Sequence, residues 1–406
     1  MARRPTIKDI ARQAGVSESA VSFALNNRPG VSQDTRARIR RVAEELGWQA
    51  NSAARALSGE QCGAVGLVLA RPAHTLGVES FFLQLVSGIQ EVLAAGRIAL
   101  LFQVVEDIDA ECAVYRRWWA ERRVDGVVVV DPRTEDPRPA LLAQLALPAV
   151  TVGEPGLPGQ LGQPGEPGVS GQSGGPGLPM AGGLPGGTGP EGDAGLPGGT
   201  GPARDTGLPG GTGPAGAGGP PFGLSAVRAD DAGAMAQVLD HLYGLGHRRI
   251  AHVAGLPGLA HTERRIRSLR AEAQRLGLGP GQVRSVATDY SDAEGAAATR
   301  RLLAEDRPPT AIVYDNDVMA VAGVAVASEL GIPVPGRLSV VAWDDSALCR
   351  VTHPRLTALV RDTAGFGRLA AEELLAVLAG SPPRCRESER PRLEPRESTA
   401  PPPAAY

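Results

Sequence analysis

The sequence predicts an α/β protein in which a small all-α N-terminal segment precedes a body of doubly wound parallel sheets. Two observations carry this prediction. Short runs of Val, Leu and Ile alternate with longer amphipathic stretches from residue 64 onward, a pattern typical of buried parallel strands joined by crossover helices. The first sixty residues contain no such run and repeat apolar residues at helical spacing instead.

Strand candidates of the body fall into two groups. The first group is AVGLVLA, IALLFQVV, DGVVVV and PAVTV, and the second is RRIAHVAG, TAIVYD and LSVVAW. Amphipathic segments such as FFLQLVSGIQEVLAAG and MAQVLDHLYGLG lie between strands and suit helices that cover a sheet. Because each group can form a sheet of its own, we expect two subdomains with a cleft between them.

Charge is distributed unevenly along the chain. The 406 residues carry a net charge of -3, yet residues 1–60 hold ten Lys and Arg against six Asp and Glu. A basic segment of this kind can supply attraction to phosphate groups, while an acidic body limits indiscriminate association. The length and a hydrophobic content of 42% are sufficient for two or three domains.

The sequence lacks the signatures of several classes of protein. No apolar run approaches the roughly 18–20 residues that span a bilayer, and the start MARRPTIKDIARQAG is polar where a signal peptide is apolar. We therefore expect a cytoplasmic protein without a membrane partner. Cys62, Cys112, Cys349 and Cys385 are too dispersed for a metal site or a disulfide framework. Phosphate-binding loops and nucleophile elbows are absent from the sequence, so we expect no enzyme and no cofactor.

Three short helices are predicted in the N-terminal segment. Each follows a residue whose side-chain oxygen can cap it, namely Thr6, Ser17 and Ser32. Asp9 completes a capping box with Thr6, and Gly15 and Gly47 end the first and third helices. The first two helices, joined across AGV, form a helix-turn-helix whose second helix would enter the major groove of DNA.

A purely structural three-helix bundle would show the same periodicity, so helical spacing alone leaves both roles open. The stretch TIKDIARQAGVSESAVSFALNNRPGVSQDTRARIRRVAEELGWQANSAARALSG resembles the LacI-family headpiece along its whole length. The shared motifs are A-G-V-S, the V-S...L-N core and the V-S-x-x-T-R opening of the third helix. The resemblance implies a sequence-specific transcription regulator, expected to be a repressor, that binds palindromic operator DNA as a homodimer.

The resemblance also assigns contacts to DNA. The base-reading positions are Glu18, Ser19 and Phe23. The positions at which the family contacts phosphates are Thr6, Ser17, Ser22, Asn26, Ser32 and Thr35. Glu18 could accept from a cytosine amino group, Ser19 could pair with several base edges, and Phe23 could pack on a thymine methyl group. Many family members carry Arg at the Phe23 position, which leaves the operator sequence open.

The segment NSAARALSG, at about residues 50–59, resembles the hinge helix of the family. By that resemblance Leu57 enters the minor groove and Ala54 permits close approach to the DNA. The alternative is a linker helix whose Leu57 packs on the body. Residues 1–60 together would form the DNA-binding headpiece.

The body resembles the LacI-family regulatory domain, which has a type I periplasmic-binding-protein-like fold. The resemblance is carried by HLYGLGHRRIAHVAG, YDNDVMAVAGVAVASELGIPVP and LSVVAWDD. We assign residues 61–152 and about 357–380 to the N-subdomain, and residues 222–345 and about 381–406 to the C-subdomain. The segment ALVRDTAGFGRLAAEELLAVLAG is predicted to be a helix that returns to the N-subdomain.

Ligand-binding candidates lie where open α/β sheets place their clefts, at strand ends. By resemblance they are Arg265, Tyr290, Asn316, Asp317 and Asp344. A guanidinium, carboxylates and an aromatic ring together suit a polyhydroxylated ligand, and sugars are common effectors in the family. The alternatives are that Asp317 only caps a helix and that Arg265 only pairs at the surface.

Residues 153–221 form a Gly- and Pro-rich insertion with collagen-like text. Glycine occupies nearly every third position, and a twelve-residue unit recurs as GLPGGTGPEGDA, GLPGGTGPARDT and GLPGGTGPAGAG. A triple helix needs three chains, whereas two-fold dimers match palindromic operators. We therefore expect a mobile, solvated insertion whose flanking strands still pair.

Two other classes of function fit the sequence less well. A solute-binding transport component would need a signal peptide and has no use for a helix-turn-helix. A structural protein built on trimeric collagen-like rods would leave residues 1–60 unexplained. The tail RLEPRESTAPP resembles a family ending that has lost strand residues after Pro395, so an incomplete and weakly held final strand is expected. No heptad segment follows, which favours a dimer over a tetramer.

Overall fold

The computed structural model describes residues 5–26, 28–48, 61–71, 80–154 and 223–403. The predicted hinge helix with Ala54 and Leu57 lies outside the described residues, as does nearly all of the Gly- and Pro-rich insertion. In the described part of the chain the helices are α1 (Ile7–Ala14), α2 (Glu18–Leu25), α3 (Gln33–Glu45), α4 (Ser80–Ala95), α5 (Ile108–Ala120), α6 (Arg138–Gln144), α7 (Asp231–Gly244), α8 (Ala260–Arg275), α9 (Asp292–Leu303), α10 (Asp317–Glu329), α11 (Ala347–Val351) and α12 (Thr363–Leu378).

The strands of the same ranges are β1 (Ala64–Ala70), β2 (Ala99–Val105), β3 (Gly126–Val129), β4 (Ala149–Val152), β5 (Ser225–Arg228), β6 (Ile250–Ala254), β7 (Val283–Ala287), β8 (Ala311–Tyr314), β9 (Ser339–Ala342), β10 (Thr357–Val360), β11 (Cys385–Glu387) and β12 (Arg392–Glu394). They form two six-stranded sheets. Sheet 1 has the order β11-β5-β4-β3-β1-β2 and sheet 2 the order β12-β10-β9-β8-β6-β7. Only β12 pairs antiparallel among the pairings described. The predicted fold class is therefore confirmed.

The three N-terminal helices begin and end where the sequence predicts. Thr6, Ser17 and Ser32 each accept a hydrogen bond from a backbone N–H of the first helical turn, and Thr6 and Asp9 form the capping box. Gly15 ends α1 at φ 65°, a left-handed conformation that glycine adopts without a steric penalty. The helices share a small apolar core of Ile10, Ala11, Ala14, Val21, Ala24, Ile39, Val42 and Ala43.

Each sheet is covered by helices on both faces. On sheet 1, α4 and α12 bury one face, while α5 and α6 bury the other. On sheet 2, α9 and α10 lie on one face and α7 and α8 on the other. This two-sided burial explains why the strands are continuous apolar runs rather than alternating ones.

The sequence-based boundaries place three strands in the wrong sheet. β5 was expected in the C-subdomain, but it pairs with β4 in sheet 1, with Val150 opposite Ser225. β10 was expected at the start of a helix in the N-subdomain, but it pairs with β9 in sheet 2. β11 was expected in the C-subdomain and pairs with β5. The chain crosses between the sheets only after β5, β10 and β11, and three- or four-residue strands give too weak a pattern to locate those crossings.

The C-terminal tail is held more firmly than its sequence suggests. β12 is short, three residues, but the chain after it hydrogen-bonds to sheet 2. The Ser398 hydroxyl is fully buried, donates to the Val340 carbonyl over 2.6 Å and accepts from the Thr357 amide over 2.8 Å. The Arg396 guanidinium contacts both carboxylate oxygens of Asp345, at 2.7 and 2.8 Å. Side-chain hydrogen bonds thus hold the chain to sheet 2 beyond the three residues of β12.

We expect Ser398→Ala to destabilise the body. The substitution leaves the buried Thr357 N–H without its acceptor, which should lower the free energy of unfolding by about 1–3 kcal/mol. Urea unfolding of the purified protein measures the change. Ser388→Ala is the matched control, because the Ser388 hydroxyl reaches only the neighbouring Glu389 carbonyl at 3.4 Å. Equal stability of the two variants would show that the tail contact contributes nothing.

Candidate functional site

Helix α2 presents a continuous outer face. Glu18, Ser19 and Phe23 are exposed and Ser22 is half-buried, while Val21 and Ala24 on the opposite side are buried. Residues spaced by one, four and five positions lie on one side of a helix. The predicted base-reading residues therefore share a single accessible surface, which continues to Asn26 at the helix end.

Phe23 is the exposed aromatic residue of that face. It is 39% exposed, although an aromatic ring is normally buried when packing allows it. Its ring approaches Gly30 in the turn that follows. Arg36 of α3 holds this turn by donating to the carbonyls of Ala24 and Arg28 over 3.3 and 2.8 Å. The turn thus supports the ring from one side and leaves the other side open.

The predicted phosphate-contacting residues gather at helix N-termini. Thr6, Ser17 and Ser32 are the caps of α1, α2 and α3, and the Ser32 hydroxyl also donates to Thr35 Oγ1 over 2.9 Å. A helix N-terminus presents unpaired N–H groups and a partial positive charge, both of which suit a phosphate. Asn26 instead donates weakly to Ser22 Oγ, at 3.5 Å, on the outer face of α2.

A cleft lies at the carboxyl ends of strands from both sheets. Arg71 follows β1 and Asp131 follows β3, both in sheet 1, while Asp315, Asp344 and Arg361 follow β8, β9 and β10 in sheet 2. The space encloses about 750 Å³, including its open mouth. All five predicted ligand-binding residues line it: Arg265, Tyr290, Asn316, Asp317 and Asp344.

Arg265 occupies the floor of the cleft. It is 4% exposed, its Nε lies 3.3 Å from Asp231 Oδ1, and its Nη1 lies 3.2 Å from Asp315 Oδ1. The guanidinium also stacks over the Trp343 ring at 4.2 Å. The alternative that Arg265 only pairs at the surface is therefore wrong.

The partners of Arg265 are ionised carboxylates. Burial alone would raise the pKa of the Asp315 carboxyl, but Arg265 and His252 outweigh burial and hold that pKa well below its usual range. Asp315 lies 2.9 Å from His252 Nε2 and accepts from the Gly255 amide over 2.9 Å. Burial would also raise the pKa of the Asp231 carboxyl, but Arg265 and Arg264 outweigh burial and lower that pKa. The floor is thus a closed network of paired charges.

Asn316 and Asp317 have different tasks at the start of α10. Asn316 is the cap: its Oδ1 accepts from the Met319 amide over 2.8 Å, and its Nδ2 donates to the Tyr290 carbonyl over 3.0 Å. Asp317 is the first helical residue and accepts from the Val318 amide through Oδ1, whereas its buried Oδ2 has no hydrogen-bond partner in the described structure. Burial raises the pKa of the Asp317 carboxyl, in opposition to the nearby Ser346 hydroxyl. The cap assigned to Asp317 as an alternative belongs to Asn316.

Tyr290 forms an aromatic wall. Its hydroxyl lies 2.8 Å from His261 Nε2 and 3.1 Å from Thr262 Oγ1. Arg71 lies between this ring and the Phe82 ring, 5.0 and 5.1 Å from their centroids. Burial, reinforced by Arg265, lowers the pKa of His261 to about 4, so the imidazole is neutral at pH 7. The wall therefore offers apolar faces edged by neutral hydrogen-bonding groups.

Asp344 faces the wall from sheet 2. Its backbone has φ 100°, a conformation that costs energy in any residue except glycine and is common at binding sites. Its Oδ1 lies 2.5 Å from Arg361 Nε, outside the angles of a hydrogen bond, and Arg361 stacks over Phe81 at 4.6 Å. Burial raises the pKa of Asp344, and Arg361 opposes the rise. This pair leaves hydrogen-bonding capacity for a bound molecule.

Several cleft residues escaped the sequence analysis: Arg71, Phe81, Phe82, Asp131, Asp231, His261, Arg264, Asp315 and Arg361. A signal existed for some of them. Arg71, Asp315 and Arg361 come directly after buried strands, where the carboxyl ends of a parallel sheet meet. Asp231 gave no such signal, because two residues separate it from the end of β5 and it begins α7. No cluster of His, Cys, Asp and Glu suited to a metal ion occurs among the described residues, and none of the described helices is long and apolar enough to cross a bilayer.

We expect Gly255→Ala to disrupt the aromatic wall. A Cβ at Gly255 would lie 1.8 Å from Tyr290 Cζ, so the ring must move. Overpacking of this kind costs about 1–3 kcal/mol, and thermal unfolding followed by near-ultraviolet circular dichroism would report both the lost stability and the altered tyrosine environment. Gly281→Ala is the control, since no atom lies within 4 Å of its Cβ position. An unchanged spectrum for Gly255→Ala would contradict the tight contact.

Two family descriptions match the chain, one for each part. Residues 6–51 match the bacterial regulatory proteins of the lacI family, and residues 239–399 match the periplasmic binding protein-like domain. The first range covers the three capped helices, and the second covers most of sheet 2 and its helices.

Relatives match over nearly the whole length. The HTH-type transcriptional regulator CelR of Thermobifida fusca is 26% identical over 389 residues, which is 93% of each chain. A CelR–cellobiose complex shares the fold at a TM-score of 0.63, with 24% identity over 97% of this chain and 100% of the other. The lac repressor dimer bound to operator and an anti-inducer shares it at 0.71, with 20% identity over 98% and 100%. In both its headpiece and its body, the chain is similar to the lacI family of bacterial transcriptional regulators.

Proposed function

We propose that this regulator binds a palindromic operator as a homodimer, acts as a repressor in the cytoplasm, and releases the operator when a sugar occupies its cleft. The observation that carries the DNA-binding half is the outer face of α2, where a half-exposed Phe23 stands beside Glu18 and Ser19. Such a face has no packing role in the headpiece core. It suits a helix that lies in the major groove.

Each residue of that face has a chemical role in this proposal. Glu18 accepts from an exocyclic amino group of a base, Ser19 pairs with a base edge, and Phe23 packs on a thymine methyl group. Backbone phosphates are received at the capped N-termini of the helices by Thr6, Ser17, Ser32 and Thr35, and on the outer face of α2 by Ser22 and Asn26. Phosphate contacts fix the register, and the three base-reading side chains supply the sequence preference.

The hinge segment completes the DNA-binding half. By its sequence, Leu57 inserts as an apolar wedge into the minor groove, and Ala54 allows the two hinge helices of a dimer to approach the DNA closely. Two-fold symmetry of the homodimer matches the two half-sites of a palindrome.

The effector is proposed to be an uncharged, hydroxylated molecule of sugar size. Among the residues lining the cleft, four arginines face five aspartates, and His261 is neutral at pH 7. Each of these arginines already lies against a carboxylate, whereas Asp317 has none of them as a partner. A ligand with its own negative charge would add to an existing excess. Hydroxyl groups, by contrast, can donate to the carboxylates and accept from the guanidinium groups.

Aromatic residues supply the second half of sugar recognition. Phe81, Phe82 and Tyr290 line the same space and can pack against the apolar face of a ring. The CelR complex, which shares this fold, contains cellobiose. These side chains bind rather than catalyse, so a binding role without chemistry is proposed.

Ligand binding and DNA release are proposed to be linked by a population shift. Residues from both sheets line the cleft, so a sugar that binds more tightly to one arrangement of the subdomains favours that arrangement. If this arrangement is incompatible with ordered hinge helices, operator affinity falls by the same coupling free energy.

The Gly- and Pro-rich insertion is proposed to be an expanded, collagen-like connection without a role in DNA recognition. Its ends support this proposal, because β4 and β5 pair in register on either side of it, with Val152 opposite Val227. The Gly153 amide also donates to the Val227 carbonyl over 2.7 Å.

Selection of bound sequences from a random duplex pool tests the regulator. We expect the full chain to enrich a palindrome at about physiological salt, and we expect Phe23→Ala to cost about 1–3 kcal/mol of discrimination at one base pair of each half-site. Leu57→Gly should weaken the selected site without changing its sequence. Trp119→Ala, an exposed aromatic residue of α5, is the control. Salt-sensitive binding without an enriched site would contradict sequence-specific regulation.

Charge selection in the cleft is tested with matched sugars. We expect calorimetry to show that cellobiose, or the best neutral sugar of a panel, binds at least about tenfold more tightly than its uronic acid, a difference of about 1.4 kcal/mol. Asp317→Asn should narrow that ratio, because it removes one negative charge at nearly constant shape. Asp109→Asn, in the first turn of α5 and outside the cleft, is the control. Tighter binding of the acid by the unaltered protein would refute the charge argument.

A further inference from the structure

A second buried charge network joins α5, the start of α6 and the loop that precedes α6. Arg138 is 1% exposed, and its guanidinium is surrounded by acceptors. Nη1 donates to both carboxylate oxygens of Glu111 over 2.9 and 3.0 Å, and Nε and Nη2 donate to the Asp136 carboxylate over 2.9 and 2.7 Å. Neither Arg138 nor Glu111 borders the cleft. The ligand role proposed above therefore does not account for this network.

The remaining contacts of Arg138 fall on one loop. Nη1 donates to the Val130 carbonyl over 2.9 Å, and Nη2 donates to the Asp131 carbonyl over 2.8 Å. With Asp136, these contacts secure both ends of residues 130–136, the segment between β3 and α6 that we call the bridge loop. Glu111 connects the same guanidinium to α5, which packs on sheet 1. A single side chain thus fixes the bridge loop to the N-subdomain.

The bridge loop also pairs with the C-subdomain. The Ala260 amide donates to the Pro132 carbonyl over 2.8 Å, the Thr134 amide donates to the Gly258 carbonyl over 3.0 Å, and Arg133 forms a β-bridge with Leu259. Ala260 is the first residue of α8, the helix that carries Arg265. The position of Arg265 relative to sheet 1 therefore depends on this pairing.

The bridge loop also contributes Asp131 to the lining of the cleft. Asp131 has φ 50°, a conformation unfavourable for aspartate, and its Oδ2 accepts from Arg71 Nε over 2.7 Å. Arg71 in turn lies over Tyr290. Contacts that hold the Asp131 carbonyl in place also maintain this backbone conformation.

We propose that Arg138 and Glu111 are positioning residues: they hold the bridge loop in the one conformation that presents Asp131 to the cleft and pairs with the start of α8. The anchoring part of this inference stands independently, while its consequence for sugar binding rests on the proposed function. Arg138 and Glu111 touch no ligand and act through the bridge loop.

Hydrogen exchange tests the anchor without any ligand. In the full chain, Arg138→Lys keeps the charge but loses the guanidinium donors, so we expect the Thr134 and Ala260 amides to exchange at least about tenfold faster. Arg123→Lys is the matched control, because Arg123 forms an exposed pair with Glu121 in the same subdomain. The Val253 amide, in a fully buried strand of sheet 2, should keep its rate in both variants.

Unchanged exchange at Thr134 and Ala260 in folded Arg138→Lys would overturn the proposal. Should this variant fail to fold, Glu111→Gln replaces it, because it leaves the arginine contacts to the two loop carbonyls available. Exchange that rises equally throughout the body, including at Val253, would show a merely structural role and would also overturn it.

A second variant removes one inter-subdomain hydrogen bond and leaves the buried network intact. Ala260→Pro deletes the N–H that Pro132 accepts, at a first helical position where proline is well tolerated. Leu259 already has φ -76° and ψ 129°, which suits a residue before proline. We expect faster exchange at Thr134 and about tenfold weaker binding of cellobiose, with operator affinity in the absence of sugar unchanged.

The outcomes separate the two proposals. Suppose that exchange is faster in Arg138→Lys but that neither the unaltered protein nor any variant binds cellobiose. This result would support the anchoring of the bridge loop by Arg138 and would show that cellobiose is not the effector. Cellobiose binding that is equal in the unaltered protein, Arg138→Lys and Ala260→Pro would overturn the positioning role.

Discussion

The buried guanidinium of Arg265 is the interaction on which the arrangement of the cleft depends. It joins Asp231, which begins α7 just after the chain leaves sheet 1, to Asp315, which directly follows β8 of sheet 2. A buried charge without a partner is very costly, so each of these carboxylates must stay where the arginine can reach it. The network therefore fixes a crossing of the chain as well as a binding surface.

Neighbouring groups extend this constraint outward. His252 supports Asp315 from the strand beside it, and Trp343 covers the flat face of the guanidinium. Tyr290 and Asn316 are then tied together through the Tyr290 carbonyl. Replacing such a network by apolar residues is often neutral or favourable for stability. The network lines a cleft that opens to solvent, as the recognition role proposed above requires.

Sequence reasoning succeeded where local chemistry decides the structure. Thr6, Ser17 and Ser32 marked the helix starts and Gly15 a helix end, because capping depends on residues within one turn. The longer apolar runs identified their strands because a strand buried on both faces is apolar along its whole length. The five predicted ligand-binding residues also converge on one cleft.

Sequence reasoning failed where a strand is short or a contact is distant. β5 and β11 are short and partly polar, and only two residues separate β10 from α12. The sheet that each strand joins is decided by packing that periodicity does not record. Asp231 and the Arg138 network likewise join residues whose proximity emerges only when the sheets form. The sequence predicts a weakly held tail because the contacts that hold it, such as that of Ser398 to Thr357, are made by side chains.

The pairing of β4 with β5 has a consequence for the evolution of this chain. Two adjacent parallel strands require a connection that runs from the carboxyl end of the first strand back to the amino end of the second. Geometry sets only the minimum length of that connection. Lengthening such a connection from about 12 to about 70 residues costs only about 1.5 kcal/mol of closure entropy. A change in the length of this connection therefore has little effect on the stability of the folded body. The register of Val150 with Ser225 can thus stay the same whatever the number of repeats between the two strands.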